Sequence, residues 1–101
     1  MDELKEAIKR YLRIDWNEDD DLIIEYIQNG VNHLNGVAGA SCDYTTAGRP
    51  RSLLFDYCRY ARSQALEVFD KNFEADLVAL NLESQAAESE TQDSGGDTDE
   101  N

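Results

Sequence analysis

The sequence predicts an all-α fold: a small bundle of three main helices with a long central third helix. A long loop joins helices 2 and 3, and a short fourth helix leads into a disordered acidic tail. Three observations carry this expectation. Apolar residues recur three and four apart through most of the first 83 positions. The Gly, Pro and acidic residues that punctuate helices fall between those stretches. From Ser84 onward the chain has no aromatic residue and no base. A chain of 101 residues holds one domain, read here as residues 1–83 with a tail over 84–101.

The first helix covers about residues 2–13, with Leu4, Ala7, Ile8, Tyr11 and Leu12 on one face. Lys5, Glu6, Lys9, Arg10 and Arg13 fall largely on the other. Acids at 2 and 3 and bases at 9, 10 and 13 suit the helix dipole. Asp15-Trp16-Asn17 interrupts the pattern, and a second helix is expected from Glu18. Asn17 or Asp15 would cap it, with Asp19, Asp20 and Asp21 crowding its positive end. Its apolar face is Leu22, Ile23, Tyr26, Ile27, Val31 and Leu34. Gly30 costs about 1 kcal/mol in a helix interior, so it suggests the close approach of a neighbouring helix. Gly36 is the expected stop.

Residues 36–50 read as a long loop, in which Tyr44-Thr45-Thr46 could form a short strand. Pro50 opens the third helix, expected over about 51–71. Leu54, Tyr57, Cys58, Ala61, Ala65, Val68 and Phe69 line its inner face, with Leu53, Tyr60 and Leu66 at the flanks. At that length it would span roughly 30 Å. Beyond it, Phe73, Leu77 and Leu80 continue a helical stripe, while Val78, Leu80 and Leu82 alternate like a strand; a short fourth helix is the preferred reading. The acidic stretch after Ser84 buries too little to offset its ordering entropy and is expected to be disordered.

The formal net charge is −13. Residues 84–101 carry six acids and no base, leaving 16 acids against 9 bases in residues 1–83. A chain of this sign repels polyanions on average, which argues against wrapping nucleic acid by its phosphates. No stretch approaches the ~18–20 apolar residues of a membrane span, and the first turn is amphipathic instead of signal-like. Cys42 and Cys58 have no CxxC or Cys/His ligand spacing. Cys58 falls on an apolar helical face, as a small buried hydrophobe does. A protein made and kept in the cytoplasm fits these features.

The residues that carry chemistry are sparse. His33 is the single histidine, with no nucleophile or orienting carboxylate at a useful spacing. Counting a calcium loop from Asp15 puts Asp20 at its sixth position, where glycine is needed, and Tyr26 at its twelfth, where glutamate is needed. The glycines at 36, 39 and 48 lack the Lys-Ser/Thr ending of a phosphate loop. The expectation is therefore a protein that is not an enzyme, with no catalytic residue, cofactor or metal. What remains is aromatic surface: nine aromatics for about 83 foldable residues, with Phe55 and Tyr60 off the main stripe of helix 3. Trp16, Phe55 and Tyr60 are candidate anchors for protein contacts. Tyr44, Arg49 and Arg51 are candidates in or beside the long loop, since loops held on a rigid helix often carry binding.

The order of these elements resembles a known family. The start Leu4-Lys5-Glu6-Ala7-Ile8-Lys9-Arg10-Tyr11-Leu12-Arg13-Ile14-Asp15 and the run Asp19-Asp20-Asp21-Leu22-Ile23 resemble the N-terminal helices of small head–tail connector proteins of tailed phages, also called head-completion or adaptor proteins. Leu53-Leu54-Phe55-Asp56-Tyr57-Cys58-Arg59-Tyr60-Ala61-Arg62, followed by Ala65-Leu66-Glu67-Val68-Phe69, is similar to their long helix. The resemblance covers residues 1–83 and rests on a pattern of helices and loop. It implies a homo-oligomeric ring of roughly a dozen copies. The ring would sit below the portal protein of the virion, at the head–tail junction, and present a surface to a further connector or tail-completion protein. DNA would pass through without specific binding, helped by an acidic lumen that repels it. The competing class is a small acidic regulatory protein that mimics DNA, for which the acidic tail would be the working part.

Overall fold

Ile8, Ile23, Ile27, Leu34, Leu54, Cys58, Phe69 and Leu80 are the largest side chains removed from solvent, and they come from every long helix of the chain. In the computed structural model, residues 2–100 are described, with side chains over 2–87. Five α-helices form: α1 (Asp2–Tyr11), α2 (Asp20–Ala38), α3 (Arg49–Arg62), α4 (Phe69–Asn72) and α5 (Glu74–Glu100), with a 3₁₀ turn at Leu66–Val68 before α4. The described residues are all-helical and include no strand, so Tyr44-Thr45-Thr46 is not one. Helix α2 is the hub, packed against α1, α3 and α5.

The close approach expected at Gly30 is present. A Cβ built there would lie 2.7 Å from Leu54 Cδ1 and 2.9 Å from Tyr57 Cδ1. Helices α2 and α3 therefore meet where α2 has no side chain, which sets the central layer of the core.

Several boundaries differ from expectation, each for a local reason. Helix 3 stops at Arg62 instead of continuing to about 71, because Gln64 takes a left-handed conformation (φ 58°). The amide of Gln64 donates to Ala61 O and that of Ala65 to Tyr60 O, the paired bonds of a Schellman motif. The turn swings Phe69 back into the core against Tyr57 and Tyr60. Helix α1 ends the same way: Arg13 is left-handed (φ 63°), its amide donates to Arg10 O, and that of Ile14 to Lys9 O. Helix α2 passes through Gly36 and stops at Gly39, whose φ of 77° and amide bond to Asn35 O close the helix. The expected loop 36–50 thus shrinks to residues 39–48.

At its other end α2 begins at Asp20, and its first turn has no side-chain cap. Asn17 is otherwise engaged, accepting a 2.8 Å bond from Lys9 Nζ. Lys9 lies on the buried side of α1 at 4% exposure, not on its polar face. Its ammonium also donates to Asp20 Oδ1 at 2.7 Å, while Lys5 reaches Asp20 Oδ2 at 3.1 Å. The bond from Lys9, against partial burial and with help from Lys5, holds the Asp20 carboxyl below its ordinary value of 3.8. Two lysines of α1 thus clamp the first residue of α2.

The fourth main element is α5, longer than the short helix expected. Helical spacing wins over the strand-like alternation: Leu77 and Leu80 are buried, whereas Val78 and Leu82 face outward. The helix continues through residues 84–87, past the expected boundary at 83. The rest of the expected acidic tail lies outside the residues whose side chains are described.

Candidate protein-interaction surfaces

The loop residues expected to reach outward are tied into the chain's own fold. Tyr44 is buried, and its hydroxyl donates to Asn35 Oδ1 at 2.7 Å. Burial raises the pKa of that hydroxyl. Arg51 Nη1 donates to Tyr44 O at 3.1 Å, and its guanidinium lies 4.8 Å above the Phe55 ring. Arg49 reaches across to α5, with Nη1 2.8 Å from Asp76 Oδ1 and Nε 3.0 Å from Glu83 Oε2. Asp43 shapes the loop tip by accepting bonds from the Thr45 hydroxyl and amide, which hold its carboxyl down at about 2. Asn35 of α2 holds the loop itself, and Asp76 and Glu83 of α5 hold Arg49 where the loop enters α3.

Phe55 is half-buried against Tyr11, ring centroids 5.4 Å apart. Tyr60 is half-buried in an aromatic cluster with Phe69 and Phe73, and accepts a 3.0 Å bond from Asn72 Nδ2. Trp16 is different. It is 40% exposed in the α1–α2 connection, with its indole N–H donating to Asp19 Oδ2 at 2.9 Å and Arg62 5.7 Å above its ring. Tyr11, 44% exposed, donates to Asp56 Oδ1 at 2.8 Å. Desolvation, then the neighbouring Asp56, raises its pKa. Of the six candidates, Trp16 alone is an exposed large hydrophobe; Arg51 bridges the Tyr44 carbonyl and the Phe55 ring, and Arg49 and Tyr60 stand apart from these three.

Two features were not among the sequence expectations. Asp70 stands 2.7 Å from His33 Nε2, so the sole histidine has a carboxylate partner 37 residues away. The ring also packs near Tyr57 and Phe69, and the pair ties α4 to α2. The second is the outer face of α5. Val78 and Leu82, 54% and 60% exposed, form an i,i+4 pair that nothing covers among the described residues. Val78 and the buried Leu77 border a groove of about 540 Å³ between α2 and α5, lined also by Val37, Glu74 and Asn81. A signal for this face was present in the sequence, where Val78 and Leu82 add a second stripe to that of Leu77 and Leu80.

Among the described residues, no group of three or more His, Cys, Asp or Glu side chains is placed to hold a metal ion. No helix there is long and apolar enough to cross a membrane. Cys58 is buried, and desolvation pushes its thiol up to about 12. Comparison with protein-family models, curated proteins and solved structures finds no match.

Proposed function

We propose that this chain is a structural assembly subunit: a head–tail connector of a tailed phage that forms a ring below the portal and joins the DNA-filled head to the tail. The observation that carries the reading is the uncovered apolar face of α5, where Val78 and Leu82 stand exposed beside the α2–α5 groove. Large exposed apolar residues lined up on one helix mark a surface that other proteins cover. Trp16 and Tyr11 add exposed aromatic surface at the far end of α2, of the kind that dominates protein contacts. The order of helices that resembles connector proteins supplies the identity of the assembly. In this reading the bundle packed around α2 is the unit repeated around the ring. The acidic balance of the chain keeps passing DNA from adhering.

The test is deletion of the gene in its phage, with lysates viewed by electron microscopy. The proposal predicts separate tails beside heads that have packaged or leaked DNA. Intact infectious particles would overturn it and favour an acidic regulatory protein.

A further inference from the structure

We propose that α5 is a latched arm: it swings off α2 as a unit about Phe73 while α1, α2 and α3 stay folded, and Arg49 is the latch. The inference goes beyond the connector reading and does not depend on it. Over its described residues 74–87, α5 sends two large apolar side chains into the core, Leu77 and Leu80. By comparison α2 buries Ile23, Ile27, Leu34 and Ala38, and α3 buries Leu53, Leu54, Cys58 and Ala61. Open space also flanks α5 on both sides. Leu77 borders the groove of about 540 Å³, and Leu80 borders a cleft of about 360 Å³ lined also by Cys42, Ala47 and Pro50. Each leucine contact thus has solvent space at its edge. A helix held by so few buried contacts opens at a lower free energy than the elements beneath it.

The latch is polar. Asp76 and Glu83 lie two helical turns apart and so share one face of α5. Arg49, the first residue of α3, reaches both, with Nη1 2.8 Å from Asp76 and Nε 3.0 Å from Glu83. One guanidinium thus ties two turns of α5 to the start of α3. Asn81, between them, donates to Val37 O at 2.9 Å. Both carboxylates of the latch are about half exposed, so dissolved salt screens their pairing with Arg49. The joint is Phe73. Its φ of −113° and ψ of 24° fall off helical values and separate α4 from α5. Its ring is gripped on the α4 side, with centroids 4.9 Å from Phe69 and 5.4 Å from Tyr60, so the pivot stays seated when the arm leaves. Opening sets Leu77 and Leu80 free beside the exposed Val78 and Leu82. The open arm offers a partner four large apolar side chains instead of two. Water penalises that exposure, so the closed arm is the resting state.

Hydrogen–deuterium exchange on the full chain, read by mass spectrometry, tests this. An undocked helix of this length is marginal by itself, so its amides exchange soon after it leaves the bundle. Amides of 78–83 should exchange about a hundredfold or more faster than those of 27–34 in α2 and 54–61 in α3. Arg49→Met should speed the α5 amides a further ~3–10-fold, the worth of two half-exposed ion pairs, and leave those of α2 and α3 unchanged. Should that variant lack a wild-type circular dichroism spectrum, raising salt from about 0.02 to 0.5 M on the wild type tests the same latch and should speed α5 alone. Protection of 78–83 equal to that of α2 and α3 would overturn the arm, because α5 would then open only with the whole fold. Fast exchange confined to 84–87 would overturn it too, since that is loss of the helix end and not release of Leu77 and Leu80. An Arg49→Met variant, or added salt, that speeds the three helices alike or none of them would overturn Arg49 as the latch.

Discussion

Replacing Gly30 and Gly36 with alanine, one at a time, makes the same chemical change twice in helix α2. Each substitution should gain about 1 kcal/mol from helix propensity alone. At Gly36 a new Cβ meets nothing within 4 Å, so the gain should appear undiminished. At Gly30 the new Cβ would lie 2.7 Å from Leu54 Cδ1, and 2.9 and 3.3 Å from two ring atoms of Tyr57. Leu54 is fully buried and Tyr57 is wedged against His33 and Phe69, so neither side chain has room to withdraw. Overpacking of this kind costs about 1–3 kcal/mol. The net at Gly30 is therefore neutral to about 2 kcal/mol destabilising, and the difference between the two variants isolates the steric cost. In a domain of this size, 1 kcal/mol shifts Tm by about 4–8 °C. Gly36→Ala should melt several degrees above wild type and Gly30→Ala at or below it, read by circular dichroism and checked by urea denaturation. Equal stabilisation of both variants would refute the close approach of α2 and α3.

Other outcomes follow from the same packing. Lys9→Met keeps the apolar stem but leaves Asn17 and Asp20 without their shared donor, so it should lower Tm more than Lys5→Met does. Because folding lowers the Asp20 pKa, this clamp adds stability above pH ~3.8 that is lost as the pH falls through the folded value; acid titrations of wild type and Lys9→Met should converge there. Gln64→Gly removes the left-handed strain after α3 and should stabilise the chain by about 0.5–1 kcal/mol in urea denaturation. With its thiol raised to about 12 and buried, Cys58 should resist an aromatic disulfide reagent at pH 8 until the protein unfolds, while the half-buried Cys42 reacts first. Rapid reaction of two thiols in the native protein would contradict the burial of Cys58.

The core was legible because its residues sit on one helical face each: Leu4 and Ile8, then Ile23, Ile27 and Leu34, then Leu54, Cys58 and Ala61. Pro50 marked the start of α3 for the reason expected, its place in the first turn. The helix ends were less legible, because Arg13 and Gln64 take the left-handed position that sequence reading assigns to glycine, while Gly36 sits in an ordinary helical turn. No rule of spacing flags Gln64; burial of Phe69 behind the turn outweighs the local strain. Lys9 was placed with the polar residues of α1 because its partners, Asn17 and Asp20, lie across a turn that periodicity does not describe. The loop side chains illustrate the same limit. Tyr44, Arg49 and Arg51 have the composition of an interface, yet the bonds of Tyr44 to Asn35 and of Arg49 to Asp76 and Glu83 depend on where distant helices come to rest. The outer face of α5 could have been read from Val78 and Leu82, had the helix been taken as long enough to carry two stripes.

The connector reading is tested most directly by reconstitution. DNA-filled heads from phage lacking this gene would be mixed with purified tails, with and without the purified chain, and infectious particles counted. The account predicts joined, infectious particles only when the chain is added. Heads that join tails equally well without it, or that never join with it although wild-type heads do, would contradict the account.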